Sequence, residues 1–165
     1  MALSPPRMRL TRRDWTGDAV LTVIGGVVCL AAMFLPWANV EGTGLMNYSL
    51  THPDTVRGVL GTQWGLPALG LALAVLAVGV LMFVAGPGRL GIALGLLTAA
   101  AGVGIVLVAR DATGAAYGWG TQAGLGAVIT LFAGVLLVPI GLASATVAGV
   151  LLYVERRSAT APPCP

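Results

Sequence analysis

Hydrophobic positions in this 165-residue chain do not alternate with polar ones; they run together in long uncharged blocks. Four blocks stand out: Ala19–Val40, Gly58–Gly88, Leu90–Ala109 and Ala112–Val154. No period-2 or period-3.6 contrast of polarity divides them, so each is apolar all round, as an element in contact with lipid and with other helices is. About 20 residues at 1.5 Å rise cross a hydrocarbon core of roughly 30 Å, and each block is long enough to cross once. The pattern predicts an all-α integral membrane protein, a compact antiparallel bundle of four transmembrane helices over about 19–38, 64–86, 90–109 and 123–154. An Arg-rich arm (1–17) precedes the membrane domain (18–154) and a Pro-rich tail (155–165) follows it. Segment 39–63 is the outer loop between helices one and two. Its "VEGTGLMNYSL" suits a small hairpin and its "THPDTVRGVLG" a short helix.

The last block is longer than a membrane requires. Its strongly apolar part, Leu125–Val154, has 30 residues, or about 45 Å as a helix. Tilt alone would have to reach about 48° to fit, beyond the usual range of about 0–40°. Division at Pro139 gives pieces too short to cross. The expectation is one helix kinked near Pro139, its end reaching into the cytoplasmic interface.

Charge then orients the thread. All nine basic residues are Arg. With an inner N-terminus, Arg7, Arg9, Arg12, Arg13, Arg89, Arg156 and Arg157 lie inside, and only Arg57 and Arg110 outside. Positive residues concentrate on the cytoplasmic side, so both termini are expected there, in the cell membrane. The net charge of +3 is thereby explained by topology and not by nucleic acid. Hydrophobic residues make up 57% of the chain and charged ones 9%, against about a quarter charged in soluble domains. The absence of Lys with a heavy Ala, Gly, Val and Leu load suggests a GC-rich prokaryotic genome.

Little chemistry is visible. The four blocks contain no Asp, Glu, Lys, Arg or His, which argues against a proton-coupled carrier. Cys29 and Cys164 form no disulfide framework, and one His makes no zinc cluster. No catalytic, cofactor or metal set is expected, and the chain does not read as an enzyme. His52, Asp54 and Glu41 read as a solvated loop. Asn47-Tyr48-Ser49 is a candidate glycosylation acceptor at Asn47. Trp37, Trp64, Tyr117 and Trp119 fall where an outer interfacial aromatic belt belongs, and Trp15 at the inner one.

One octet repeats: "GTQWGLPA" at 61–68 returns as "GTQAGLGA" at 120–127, with six of eight positions identical. Both lead from outside into an inward-going helix. Thr62 and Thr121 are the expected N-caps, with Gln63 and Gln122 in the first turn.

Small residues recur at spacing four. Gly91, Gly95 and Ala99 form a stripe on helix three, and Gly141, Ala145 and Gly149 another on helix four, with Ser144 beside it. Gly70 and Ala74 on helix two and Gly25 and Cys29 on helix one are shorter versions. Such stripes let backbones approach and drive helix association in lipid. The expectation is therefore a small accessory, assembly or scaffolding subunit of a membrane complex, acting through helix packing and the outer loop. Its partners would be the bilayer and a membrane protein or a second copy. A transporter or channel for a neutral or apolar solute, lined by Thr98, Thr130, Ser144 and Thr146, is the alternative. A loop-mediated adhesion or sensor protein is the third.

Overall fold

In lipid every backbone polar group must be satisfied within the chain, so apolar blocks of this length fold as helices. A computed structural model describes residues 12–35, 37–39, 64–118 and 122–159. It contains α1 (Arg12–Ala32), β1 (Ala38–Asn39), α2 (Gly65–Ala85), α3 (Arg89–Gly118), β2 (Gln122–Ala123) and α4 (Leu125–Ala159). All four helices are long and apolar enough to span a membrane. Each packs against its neighbours in a closed ring, α1 on α2, α2 on α3, α3 on α4 and α4 on α1. Neighbours are antiparallel, so the start of α1 and the end of α4 share one end of the bundle.

Helix ends differ from expectation on α1, α3 and α4, the last running on to Ala159. α1 begins at Arg12 and stops at Ala32, a shift toward the N-terminus that takes in part of the polar arm. α3 continues through Arg110 and Asp111 to Gly118, because the Ala-rich run after them sustains a helix that hydropathy alone ends at Ala109. α4 is a single helix of 35 residues with Pro139 inside it. Pro139 is exposed on the outer side of the bundle, where its ring meets lipid and its missing N–H leaves nothing for the Val135 carbonyl. The α2–α3 turn is set by Gly86, whose φ of +64° with ψ of 177° is a positive-φ extended conformation essentially reserved for glycine, costing an L side chain roughly 1–3 kcal/mol.

Buried positions follow a regular 3–4 alternation. Among them are Trp15, Ala19, Thr22, Gly26 and Cys29 along α1 with Met33 in the turn after it, and Gly65, Ala68, Ala72, Val75, Gly79 and Met82 along α2. On α4 the series runs Ala127, Thr130, Gly134, Leu137, Gly141, Ser144 and Ala148. This is the 3.5-residue repeat of left-handed helix packing, written in side-chain size where soluble proteins write it in polarity. Most of these interior positions are small, with Trp15, Met33, Val75, Met82 and Leu137 the large ones; the outward positions carry exposed Leu, Val, Ile and Phe.

Candidate functional site

The closest approach in the bundle is between α3 and α4. A Cβ placed on Gly95 would lie 2.6 Å from the Ala145 nitrogen and 2.8 Å from the Gly141 carbonyl oxygen. One on Gly141 would collide with the Ala99 nitrogen and come within 2.6 Å of the Gly95 oxygen. Gly102 and Gly134 continue the contact, each Cβ position 3.0 Å from the other's carbonyl oxygen. Gly95, Ala99, Gly141 and Ala145 thus meet one another, backbone to backbone. Gly91 turns toward Trp15, whose ring edge lies 2.7 Å from where its Cβ would be. Gly149 has only the Ile92 Cδ1 at 4.0 Å. Gly70 has nothing within 4 Å, and Gly25 faces Leu137 of α4. Gly102 and Gly134 were hidden among many glycines; the 3.5-residue size repeat is the signal that singles them out.

Trp15 is a core residue, not a member of an inner belt. It is 2% exposed, and its indole N–H donates to the Met82 carbonyl across α2 at 2.8 Å. Around it pack Ala19, Met82, Leu94 and Ala148. Gly91 opens the space for the ring, a long-range complement that a lone Trp near a helix start does not reveal.

Next to this cluster stands the one carboxylate in the α1 span. The apolar window on α1 runs Trp15–Ala32 and so includes Asp18, which corrects the expectation of spans free of acidic residues. Asp18 interrupts the hydropathy, but the helix continues through it. The Ser144 hydroxyl of α4 lies 3.0 Å from Asp18 Oδ2 and 2.9 Å from the Ile140 carbonyl of its own helix. Its single proton serves these two acceptors, one local and one across the α1–α4 seam.

The other buried hydroxyls bond within their own helices. Thr22 donates to the Asp18 carbonyl at 2.9 Å, Thr98 to Leu94 at 3.0 Å and Thr130 to Gly126 at 2.8 Å. Thr146 does the same to Leu142 but is exposed on the outer side. Of the four residues expected to line a solute path, Thr98, Thr130 and Ser144 are buried in the bundle, and Thr146 is exposed. Among the described residues no buried side-chain N or O lacks a partner, and no cluster of metal-binding side chains forms.

The opposite end of the bundle is a clamp. Trp37 is buried with Met33, Ala68, Ala112 and Ala127, and Trp64 packs against this group half-buried. The Trp37 indole N–H donates to the Ala32 carbonyl at 3.1 Å. Gly126 admits the ring: a Cβ there would lie 2.7 Å from Trp37 Cδ1. Beyond it, β1 and β2 pair antiparallel, Ala38 opposite Ala123 and Asn39 opposite Gln122. The Gly124 N–H donates to the Trp37 carbonyl at 2.8 Å. Gln122 is therefore in a two-residue ladder and not in the first turn of a helix, which begins at Leu125. The two copies of the octet converge here, since Ala68 and Ala127 are equivalent positions and both pack around Trp37. Tyr117 lies in the last turn of α3. Asn47, Trp119, Thr62, Gln63, Thr121 and the loop's His52, Asp54 and Glu41 lie outside the described residues.

No known protein family, characterised protein or solved structure matches the chain. Fold and composition define its class: a multi-pass membrane protein built as a four-helix bundle.

Proposed function

We propose that this protein is a small accessory, assembly or scaffolding subunit of a membrane complex, working by contact and not by catalysis. The observation that carries the reading is the clamp at one end of the bundle. Both roots of segment 40–63 emerge from it: Trp37 is locked by Gly126 and the β1–β2 ladder, and Trp64 packs on the same core. A rigid base of this kind suits a segment offered to another protein. The Arg distribution supports an orientation with both termini in the cytoplasm and segment 40–63 outside the cell membrane. The α3–α4 small-residue stripes are consumed inside the bundle, so recognition falls to that segment and to the outward helix faces, toward a membrane-protein partner or a second copy.

Purification of tagged full-length protein from its native membrane in a mild detergent tests this. A defined companion, or a discrete oligomer, should co-elute with the parent chain. It should be lost when 41–60 is replaced by a Gly/Ser linker of equal length, while helicity is unchanged. A lone monomer in several mild detergents overturns the reading.

A further inference from the structure

Sorted by which helices meet, the glycine contacts divide the bundle into two halves. Within the α1–α2 hairpin a Cβ on Gly26 would lie 3.0 Å from the Leu76 nitrogen, and one on Gly79 3.0 Å from the Val23 nitrogen. Within the α3–α4 hairpin Gly95 and Gly141 bring the backbones closer still. Between the hairpins the middle of each seam is different. The atoms nearest a Cβ on Gly25 of α1 belong to the Leu137 side chain of α4, and those nearest one on Gly104 of α3 to the Leu71 side chain of α2. An apolar groove of about 290 Å³ opens along the first of these seams, lined by Gly25, Ala133 and Leu137 among others. Such a gap forfeits van der Waals contact, one of the forces that hold helices together in lipid. The sequence divides the chain in the same way. The returning helix of each hairpin begins inside a copy of the octet, 61–68 for α2 and 120–127 for α4, as in membrane folds built of parallel repeats.

The α1–α4 seam is fastened by unlike means at its two ends. At the clamp, a Cβ on Gly126 would lie 2.6 Å from the Ala32 carbonyl oxygen, and the β1–β2 ladder ties the chain beyond α1 to the chain before α4. At the other end the polar contact is one hydroxyl, Ser144 Oγ 3.0 Å from Asp18 Oδ2, and that hydroxyl also serves the Ile140 carbonyl. There α2 and α3 are tied by the Gly86 turn, so separation at this end falls on α1 and α4.

We propose that the fold contains a conformational switch: the hairpins α1–α2 and α3–α4 swing as rigid halves about the Trp37 clamp, and the α1–α4 seam opens at its Asp18 end, with the Ser144–Asp18 contact as the clasp. The two positions differ in discrete contacts. In the closed one Leu137 packs on Gly25 and Ser144 reaches Asp18. In the open one Ser144 keeps its bond to Ile140, so its proton is not left without an acceptor. The backbone contacts inside each hairpin are the same in both, which is what a hinge between packed units requires.

The test uses full-length protein in liposomes, spin-labelled in pairs at exposed positions on a background of Cys29→Ala and Cys164→Ser, with distances read by double electron–electron resonance. Val20→Cys with Val150→Cys reports the α1–α4 seam, Leu97→Cys with Val150→Cys the α3–α4 hairpin, and Phe34→Cys with Leu125→Cys the clamp. The seam pair should give two distances and the other pairs one each. Ser144→Ala should raise the ratio of the longer to the shorter seam distance about threefold, the effect of losing one interhelical hydrogen bond of average strength in lipid, and leave the other pairs unchanged. A single seam distance in the parent chain and in Ser144→Ala alike overturns the proposal, as does a ratio that Ser144→Ala leaves unchanged. A second distance within α3–α4 overturns the rigid hairpins, and one at the clamp overturns the pivot.

Discussion

α4 carries two seams of opposite construction. Against α3 its backbone touches backbone at Gly95, Gly102, Gly134 and Gly141. Against α1, backbone meets backbone only at the far end, where a Cβ on Gly126 would lie 2.6 Å from the Ala32 carbonyl oxygen; along the middle, the atoms nearest a Cβ on Gly25 belong to the Leu137 side chain, and a groove opens beside them. Both seams contain glycine, so glycine alone does not bring helices together. Glycine opposite glycine does so, because neither partner holds the other off. Glycine opposite leucine gives an interlocked contact with an open groove beside it. In lipid, where burial of apolar surface between helices gains little, the difference in van der Waals contact makes the first seam the stronger.

The largest expected effect comes from forcing the two seams to resemble each other. Gly141→Leu puts a branched side chain into the Gly95 carbonyl and the Ala99 amide, neither of which can rotate away. Overpacking costs about 1–3 kcal/mol where side chains yield, and more where only backbone can move. Reversible unfolding in mixed micelles should show a loss of at least about 3 kcal/mol, or no folded protein. Gly149→Leu, two turns further on and with only the Ile92 Cδ1 at 4.0 Å from its Cβ position, is the matched control and should leave stability within about 0.5 kcal/mol. Equal loss in both variants would mean that α4 tolerates no change anywhere, and the comparison would fail.

A smaller effect is expected at the turn between α2 and α3, which fixes how α3 approaches α4. Gly86→Ala keeps the space around the residue open but places an L side chain at φ +64°. The expected loss is about 1–3 kcal/mol by the same unfolding assay. Gly25→Ala should cost less, about 1 kcal/mol, since the Leu137 tip at 2.7 Å can swing toward the groove. A Gly25→Ala loss as large as that of Gly141→Leu would show that the α1–α4 seam is as tight as its neighbour.

The two seams also differ in how readily sequence discloses them. Hydropathy alone yields four crossings and their order, because apolar length is a property of each segment by itself. The small-xxx-small rule finds Gly95, Ala99, Gly141 and Ala145, which meet in space, since that spacing is local to each helix. It also selects Gly91 and Gly149, which meet a Trp ring and little else, because the rule knows nothing of the opposite helix. The burial of Trp15 and Trp37 depends on Gly91 and Gly126, each far away in sequence. Asp18 fell outside the first block because a single carboxylate ends a hydropathy run long before it ends a helix. The groove is the least legible feature of all, being a mismatch between two stripes that are each unremarkable alone.

The smallest effect is expected at the polar clasp, and it decides how the two seams rank. Ser144→Ala removes the hydroxyl that lies between Asp18 Oδ2 and the Ile140 carbonyl. The bond to Ile140 is available to α4 even when the helices are separated in the membrane, so only the share given to Asp18 is tertiary. Interhelical hydrogen bonds in membranes average about 0.6 kcal/mol and reach about 1.7. A double-mutant cycle of Ser144→Ala with Asp18→Ala, read by unfolding in mixed micelles, should therefore give a coupling near 0.6 kcal/mol. A coupling above about 2 kcal/mol would exceed what such a bond supplies in lipid. The clasp, and not the glycine contact, would then hold the ring closed.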